Sequence, residues 1–291
     1  MSVDLKYVSS KGIEFDLLDF DVIKLYKADF HNVKWVPEVV QKQYGTTINR
    51  FTKGPQLFDV TFRLKGDPAQ RKSQIDAFIY QTEYDIAKMS PGRLWWNNQY
   101  IDVYFDEHDC TPVEDGQTWT EVSGQLYACF PFWIEEQIWH IDPEHYEPIP
   151  QRDDNKGYPL DRDMAYAYTY SYPYTGASGV LHIDSPFGCD YRLEVWGPIP
   201  DYFRVVVGDN ILQVNYPING AQKLIIDSRD TLPIDQKCYV LNPNGTTINI
   251  FDYRDPNSLL FERFIGDEVS IYIDRDYKLD LTLYLERSAP I

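Results

Sequence analysis

Residues 277–286 read YKLDLTLYLE, and their side chains alternate strictly between two faces. Tyr277 and four leucines take every second position, while polar and charged residues with Tyr284 take the others. A period of two is that of a β-strand with one face in a core and the other toward water or a neighbour. Residues 269–273 repeat the pattern, so we predict a hairpin with its turn at 274–276. The chain ends a few residues later, and we expect no catalytic appendage after it.

The same rhythm continues through the C-terminal half of the chain. Turn signals such as residues 208–210, 217–220 and 242–245 separate the apolar runs. Short strands at this spacing are typical of a sandwich or a barrel. We predict strands at residues 180–184, 191–196, 203–207, 211–215, 222–227, 238–241 and 247–253 in addition to the closing pair.

The N-terminal part combines strands with one helix. Residues 57–65 alternate as a strand, and Asp67, Pro68 and Gln70 then form a helix start with a capping box. We predict a helix at residues 68–88, the only one in the chain, and further strands at 93–96, 101–105 and 119–133. The stripe expected to pack on the sheet consists of Ile75, Phe78, Ile79 and Ile86.

At 291 residues the chain has room for two domains. Residues 142–164 are rich in proline and charge, which argues against a helix or a central strand. We therefore predict an N-terminal domain at residues 1–141, a linker at 142–164 and a C-terminal β-sandwich at 165–291.

The formal charge of −18 argues against general affinity for nucleic acid or anionic membrane, because both require Lys and Arg. The four cysteines are widely spaced and form no CxxC, which favours free thiols made in a reducing cytosol. The N-terminus has no basic-then-apolar signal, and no apolar run approaches the length of a membrane span. We expect a soluble protein that lacks a standard export signal.

No candidate for catalysis or metal binding has the spacing that the chemistry requires. His140 and His145 lie near acidic residues, but they match no zinc signature, and Pro143 breaks the helix that would align them. His108, Asp109 and Cys110 are adjacent, so on an extended chain they point to opposite faces. The pairs Asp274 with Asp276 and Asp161 with Asp163 lack a full calcium loop. We predict no enzyme activity, no cofactor and no metal.

The many aromatic residues of this chain favour a role in protein–protein contacts over catalysis. Residues 165–174 read AYAYTYSYPY, and alternating tyrosines supply rigid contact area at low entropic cost. The polar loop at residues 107–117 and the long aromatic strand at 119–133 are further candidates. The predicted protein-contact residues are Tyr166, Tyr168, Tyr170, Tyr172, Trp119 and Trp133.

Taken in order, these segments resemble the phage distal tail protein (Dit) family, the hub of the siphophage tail tip. The N-terminal match runs through LFDVTFRLKG, DPAQRKSQIDAFI and PGRLWW to LYACFPFWIEE, where FPFW stands in place of the family's DPFW. The C-terminal match runs through EVWGPIPDYFRVVVGDNILQVN and KLIIDSRD to the segment around NPNGTTINIFDY. The matching residues are Gly197, Pro198, Asp227, Ser228, Arg229, Gly245, Phe261 and Gly266.

The resemblance implies a ring-forming β domain with one helix, followed by a galectin-like β-sandwich. It implies that the chain assembles into a hexameric ring and is a virion structural protein of the baseplate. It also implies that the protein is made in the host bacterial cytoplasm. The partners implied are further copies of the chain, the tail tube protein, a tail-associated fibre or lysin, and receptor-binding proteins for host attachment. DNA would pass through the lumen without specific binding, which agrees with the net acidity.

A carbohydrate-binding module or a β-sandwich glycosidase is the alternative. Galectin-type sugar sites need His, Asn, Arg, Trp and Glu on one sheet, and Trp196 and His182 are present here. Glycosidases need two carboxylates across a cleft, and the 45 acidic residues give no basis for choosing a pair. A hub is expected to form a ring without turnover, whereas a lectin is expected to bind glycans as a monomer or dimer.

Overall fold

The computed structural model describes residues 3–19, 23–110, 119–141, 177–230, 232–273, 275 and 277–291. Over these residues the chain consists of antiparallel strands and one α-helix, which confirms the predicted fold class. In chain order the elements are β1 (Leu5–Val8), β2 (Glu14–Asp16), β3 (Lys24–Ala28), β4 (Val36–Lys42), β5 (Gly45–Thr52), β6 (Gln56–Lys65), α1 (Pro68–Ala87), β7 (Gly92–Trp96), β8 (Gln99–Cys110), β9 (Trp119–Ala128), β10 (Trp133–Ile141), β11 (Ala177–His182), β12 (Cys189–Trp196), β13 (Phe203–Val207), β14 (Asn210–Val214), β15 (Lys223–Asp227), β16 (Cys238–Leu241), β17 (Thr247–Asn249), β18 (Glu268–Ile273) and β19 (Lys278–Arg287).

The chain forms two compact units. The first comprises Met1–Glu135 with Glu286–Ile291, and the second comprises Glu136–Leu285. The units divide between Glu135 and Glu136, within β10 and six residues before the predicted boundary at residue 141, and the last six residues of the chain belong to the first unit. In that unit Lys53 Nζ donates to the Ser288 carbonyl at 3.1 Å, and the Ile291 amide donates to Gln99 Oε1 at 3.0 Å. The predicted linker at 142–164 lies outside the described residues.

Strand β8 connects two sets of strands in the first unit. Its first residues pair with β7, which continues through β1 to β2. Its later residues pair with β9, which continues through β6 to β3. The change of partner falls between Val103 and Tyr104, and the pairing with β9 has an irregularity between Phe105 and Glu107. Side chains from both sets of strands enclose one apolar core.

Helix α1 begins as predicted. The Asp67 carboxylate accepts from the amides of Ala69 and Gln70, both at 2.9 Å, and the Gln70 side chain accepts from the Asp67 amide. The predicted stripe is only partly correct. Phe78 is buried and Ile75 packs on the core, but Ile86 is 38% exposed. The buried positions of the helix are Arg71, Phe78, Thr82 and Asp85, so most of this face is polar.

The second unit is a β-sandwich. One sheet has the order β17-β16-β15-β12-β19, with β10 beside β19, and the other has the order β11-β18-β13-β14. Both sheets contribute to a single core. The predicted alternation of β18 and β19 is confirmed, because Val269, Ile271 and Ile273 and the four leucines of β19 are all buried.

The opposite face of β19 is covered near the end of the strand. Tyr284 and Glu286 are buried there as well, so the strand is covered on both faces near its end.

Cys129, Cys189 and Cys238 are free thiols, as predicted. Among the described residues, no helix is long and apolar enough to cross a membrane.

Candidate oligomerisation surface

Strands β4 and β5 form a hairpin in the first unit in which every strand residue is exposed. They pair with each other and, among the described strands, with no other. Thr52 Oγ1 donates to the Val36 carbonyl at 3.3 Å, and Arg50 Nε donates to Glu38. Gly45 closes the turn with φ of +116°, a conformation that side chains disfavour. The hairpin is thus well formed and yet covered by nothing in the described chain.

The pairing register gives the hairpin two different faces. Pro37 lies opposite Phe51, and Val39 lies opposite Ile48, on one side of the two-stranded sheet. The register shifts between Glu38 and Val39, so that Arg50 and Ile48 pair while the intervening residue does not. This irregularity keeps the four apolar side chains on one face. We call the face formed by Pro37, Val39, Ile48 and Phe51 the apolar hairpin face.

An uncovered hairpin of this composition is a candidate surface for a partner. Isolated two-stranded sheets are marginally stable in water. Val39, Ile48 and Phe51 each leave half of their surface exposed, and Tyr44 at the turn is 92% exposed. Clustered exposed apolar residues mark interaction sites. Burial of the apolar hairpin face against another chain would stabilise the hairpin further.

The predicted contact residues fall elsewhere. Tyr166, Tyr168, Tyr170 and Tyr172 lie outside the described residues. Trp119 begins β9, but its side chain is outside the described part of the structure.

Trp133 requires a correction, because it lies in the core of the first unit. Its side chain is fully buried, and its ring meets that of Phe30 edge-to-face at 5.7 Å. It therefore offers no surface to a partner. The alternating pattern of the strand predicts that one face is buried, but it does not say whether the chain's own core or another protein buries that face.

The loop predicted at residues 107–117 overlaps the end of β8. Residues up to Cys110 belong to β8, where His108 and Asp109 pair with residues of β9. The side chains of His108 and Cys110 lie outside the described part of the structure, so the predicted absence of a dyad stays a prediction. Residues 111–117 lie outside the described part of the chain.

The candidate metal ligands are not brought together among the described residues. His140 Nδ1 lies 2.7 Å from Asp280 Oδ1 in the second unit, and Glu135 pairs with Arg287 at 3.4 Å in the first. No group of three potential ligands occurs in the described ranges. His145 and the pair Asp161 with Asp163 fall outside them, as do Asp274 and Asp276.

The two candidate sugar contacts lie on different sheets of the second unit. Trp196 ends β12, and the Lys223 ammonium lies over its ring at 4.4 Å from the centroid. His182 ends β11 on the four-stranded sheet, 3.5 Å from Glu268. The arrangement required for a galectin-type sugar site is therefore not assembled from these two residues.

Solved structures of phage proteins share this fold over the whole chain. The Dit protein of phage SPP1, described as a hub of the adsorption apparatus in phages that infect Gram-positive bacteria, aligns with a TM-score of 0.62 and 10% identity. The alignment covers 99% of this chain and 100% of that chain. No protein-family model matches the sequence, and no curated protein does.

Two structures of the phage P2 baseplate in its activated conformation contain chains that are similar. The chain from the structure with Ca aligns with a TM-score of 0.64 and 11% identity, and the chain from the structure with Sr with 0.62 and 12%. Both alignments cover 100% of each chain. The predicted resemblance to the Dit proteins is thereby confirmed at the level of the fold.

Proposed function

We propose that the chain is the structural hub of a phage tail tip. In this role it forms a hexameric ring that joins the tail tube to the tail-tip and receptor-binding proteins. DNA passes through the centre of the ring without specific binding. The protein resides in the virion, at the tail tip, and its second unit is a galectin-like sandwich.

The observation that carries the proposal is the match in fold over both units. A shared fold alone does not assign a function. Here the agreement covers the full length of this chain and of hub and baseplate chains. The second support is the uncovered apolar hairpin. A subunit that assembles into a ring needs an exposed surface for its neighbour, whereas a monomeric binding module does not.

The apolar hairpin face is the proposed site of ring assembly. A closed ring is built from heterologous contacts, in which one surface of a subunit meets a different surface of the next. An exposed hairpin suits such a contact, because both of its strands are open to solvent in the single chain. The net charge of −18 suits a lumen that must not retain DNA. We propose no catalysis, because no group of three potential metal ligands occurs among the described residues and the chains that share the fold are hub and baseplate proteins.

Oligomeric mass tests the proposal directly. The wild-type chain of 34.1 kDa should form rings that mass photometry and negative-stain images resolve. The double variant Val39→Asp, Ile48→Asp places two charges on the apolar hairpin face and should remain a monomer. Both positions are half exposed in the single chain, so the fold should persist by circular dichroism.

The matched control is Thr47→Asp, which lies on the opposite face of the same hairpin, across from Val40. It adds one charge to the hairpin but leaves the apolar hairpin face intact, so it should assemble. Rings of the double variant would show that another surface holds the ring together. A wild-type monomer at every concentration, combined with glycan binding, would favour the carbohydrate-binding alternative.

A further inference from the structure

A groove in the first unit lies between strand β2 and helix α1. Its volume is ≈ 500 Å³. The helix contributes residues one and two turns apart on one side, and Phe15 of β2 forms part of the opposite wall. The lining residues are Phe15, Lys65, Gly66, Gln70, Ser73, Gln74 and Ala77.

Strand β2 presents a free edge. It pairs with β1, and among the described strands with no other. The Leu17 amide donates to the Leu5 carbonyl and the Ser9 amide to the Ile13 carbonyl, both at 2.9 Å, which fixes the hydrogen-bonded positions of the β1–β2 pair. The Leu17 carbonyl accepts from the Leu25 amide of β3 at 2.7 Å, so the open part of the edge is limited to β2 itself. In an antiparallel pair the intervening residues direct their amides and carbonyls to the other edge. Glu14 and Asp16 therefore present hydrogen-bonding groups on the side away from β1.

The charges of this edge mirror those of the hairpin. Glu14 and Asp16 are exposed carboxylates, and Lys65 is the cation in the groove lining. The hairpin carries the reverse set, with one carboxylate, Glu38, and two cations, Lys42 and Arg50. Ile13 and Leu18, which flank β2, are exposed apolar residues that the apolar hairpin face could cover. Some of these charges already have partners in the same chain, because Glu14 lies 3.6 Å from Lys6 and Arg50 contacts Glu38. Asp16 on the edge and Lys42 on the hairpin are the opposite charges that could meet across the contact.

We propose that the hairpin of one copy docks in the groove between β2 and α1 of the next copy and extends its sheet at β2. Strand addition at a free edge satisfies the backbone groups of both partners. The contact is heterologous, because each copy supplies one hairpin and one groove, and repetition closes a ring. The inference rests on the proposed function and identifies the surface that receives the hairpin.

The test uses two full-length variants that each lose one half of the contact. The hairpin variant is Val39→Asp, Ile48→Asp. The groove variant is Ser73→Trp, which places a large ring in the groove from an exposed helix position. Each alone should be a monomer, with self-association at least ~10-fold weaker than wild type. Their mixture should form heterodimers and nothing larger, because one intact hairpin meets one intact groove.

The matched control is Glu83→Trp, an exposed position on another side of the same helix, which should assemble as wild type. Ala77→Trp provides a second block of the groove if Ser73→Trp does not fold. Rings formed by the folded groove variants would overturn the docking site while leaving the hub proposal intact. Rings formed by the hairpin variant would instead contradict the assembly surface on which both proposals depend. Absence of heterodimers in the mixture would also overturn the docking site.

Discussion

Tyr7 donates its phenolic proton to Asp85 at 2.5 Å, and this bond joins strand β1 to helix α1 inside the first unit. Asp85 is completely buried, and its other carboxylate oxygen accepts from the Ser10 amide at 3.0 Å and the Ser10 hydroxyl at 2.6 Å. Three donors thus satisfy one buried carboxylate, as a buried charge requires. The bonds fix the helix against the strand by directional contacts as well as by apolar packing.

Gly92 is required by this arrangement. A Cβ at this position would lie 2.1 Å from Tyr7 Oη. We expect Gly92→Ala to displace the phenol and to leave Asp85 with an unmet acceptor, at a cost of at least about 2 kcal/mol in the free energy of unfolding. Urea denaturation measures the change. Gly54→Ala is the control, because a Cβ there meets nothing within 4 Å, and an equal loss in both variants would contradict the steric explanation.

Buried phenols should make the protein sensitive to alkali. Burial raises the pKa of Tyr7 well above its usual 10, and the hydrogen bond to Asp85 raises it further. Burial also raises the pKa of Tyr191 well above 10 and that of Tyr284 to about 12. Since the folded chain holds these protons more tightly than the unfolded chain, stability is fully present below pH 10 and is lost as the pH rises above it.

The expected slope is about 1.4 kcal/mol per pH unit for each phenol that stays protonated only in the folded state. Urea denaturation at intervals between pH 10 and 12 measures it. Tyr7→Phe should reduce the loss of unfolding free energy per pH unit by the contribution of one phenol. The difference from wild type isolates Tyr7, because the other titrating groups are the same in both proteins. An unchanged slope in Tyr7→Phe would show that Tyr7 ionises normally in the folded protein.

The sequence predicted the elements whose local pattern agrees with their surroundings. The capping residues of α1 and the leucines of β19 each carry their own signal, and both predictions are confirmed. The buried face of α1 was mispredicted because Thr82 and Asp85 are polar. Apolar periodicity cannot identify a polar residue whose bonding partners, such as Tyr7, lie 78 residues away in the sequence.

The hairpin was missed for a different reason. The irregularity between Glu38 and Val39 interrupts the period of two that would have revealed its strands. Its apolar residues also face no core of the described chain, so burial could not be inferred from them. Trp133 shows the converse error, since an aromatic residue assigned to an interface fills the first core. In each case a sequence pattern indicates that a side chain will be covered, but not which chain covers it.

Phe78 should be the most costly residue of α1 to truncate. Its ring lies 5.2–5.6 Å from the rings of Tyr7, Phe15, Phe62 and Phe105. Phe78→Ala should lower the free energy of unfolding by about 3–5 kcal/mol, because the cavity would open at the centre of an aromatic cluster. Ile86→Ala on the same helix should cost under about 0.5 kcal/mol, as expected for an exposed position. Similar losses in the two variants would show that α1 does not pack through Phe78.

The segment 227–229, which resembles the Dit pattern, contains an ion pair between its first and last residues, Asp227 and Arg229. The guanidinium donates from Nε to one carboxylate oxygen at 3.0 Å and from Nη2 to the other at 2.7 Å. Asp227 is almost fully buried at the end of β15, and the guanidinium lies over the Tyr284 ring at 4.3 Å. The planar, two-pronged contact neutralises a carboxylate that burial would otherwise penalise.

We therefore predict that Arg229→Ala costs about 3–5 kcal/mol, because it leaves a buried carboxylate without its cation. Arg229→Lys should restore only part of this, since an ammonium cannot form both bonds or stack on the ring. The control is Arg275→Ala, which removes a two-pronged contact to exposed Asp201 and should leave stability near wild type. The double variant Asp227→Asn, Arg229→Met should be more stable than Arg229→Ala, because no charge is left unpaired. If thermal and urea denaturation instead rank the double variant below Arg229→Ala, the penalty does not come from a stranded charge at Asp227.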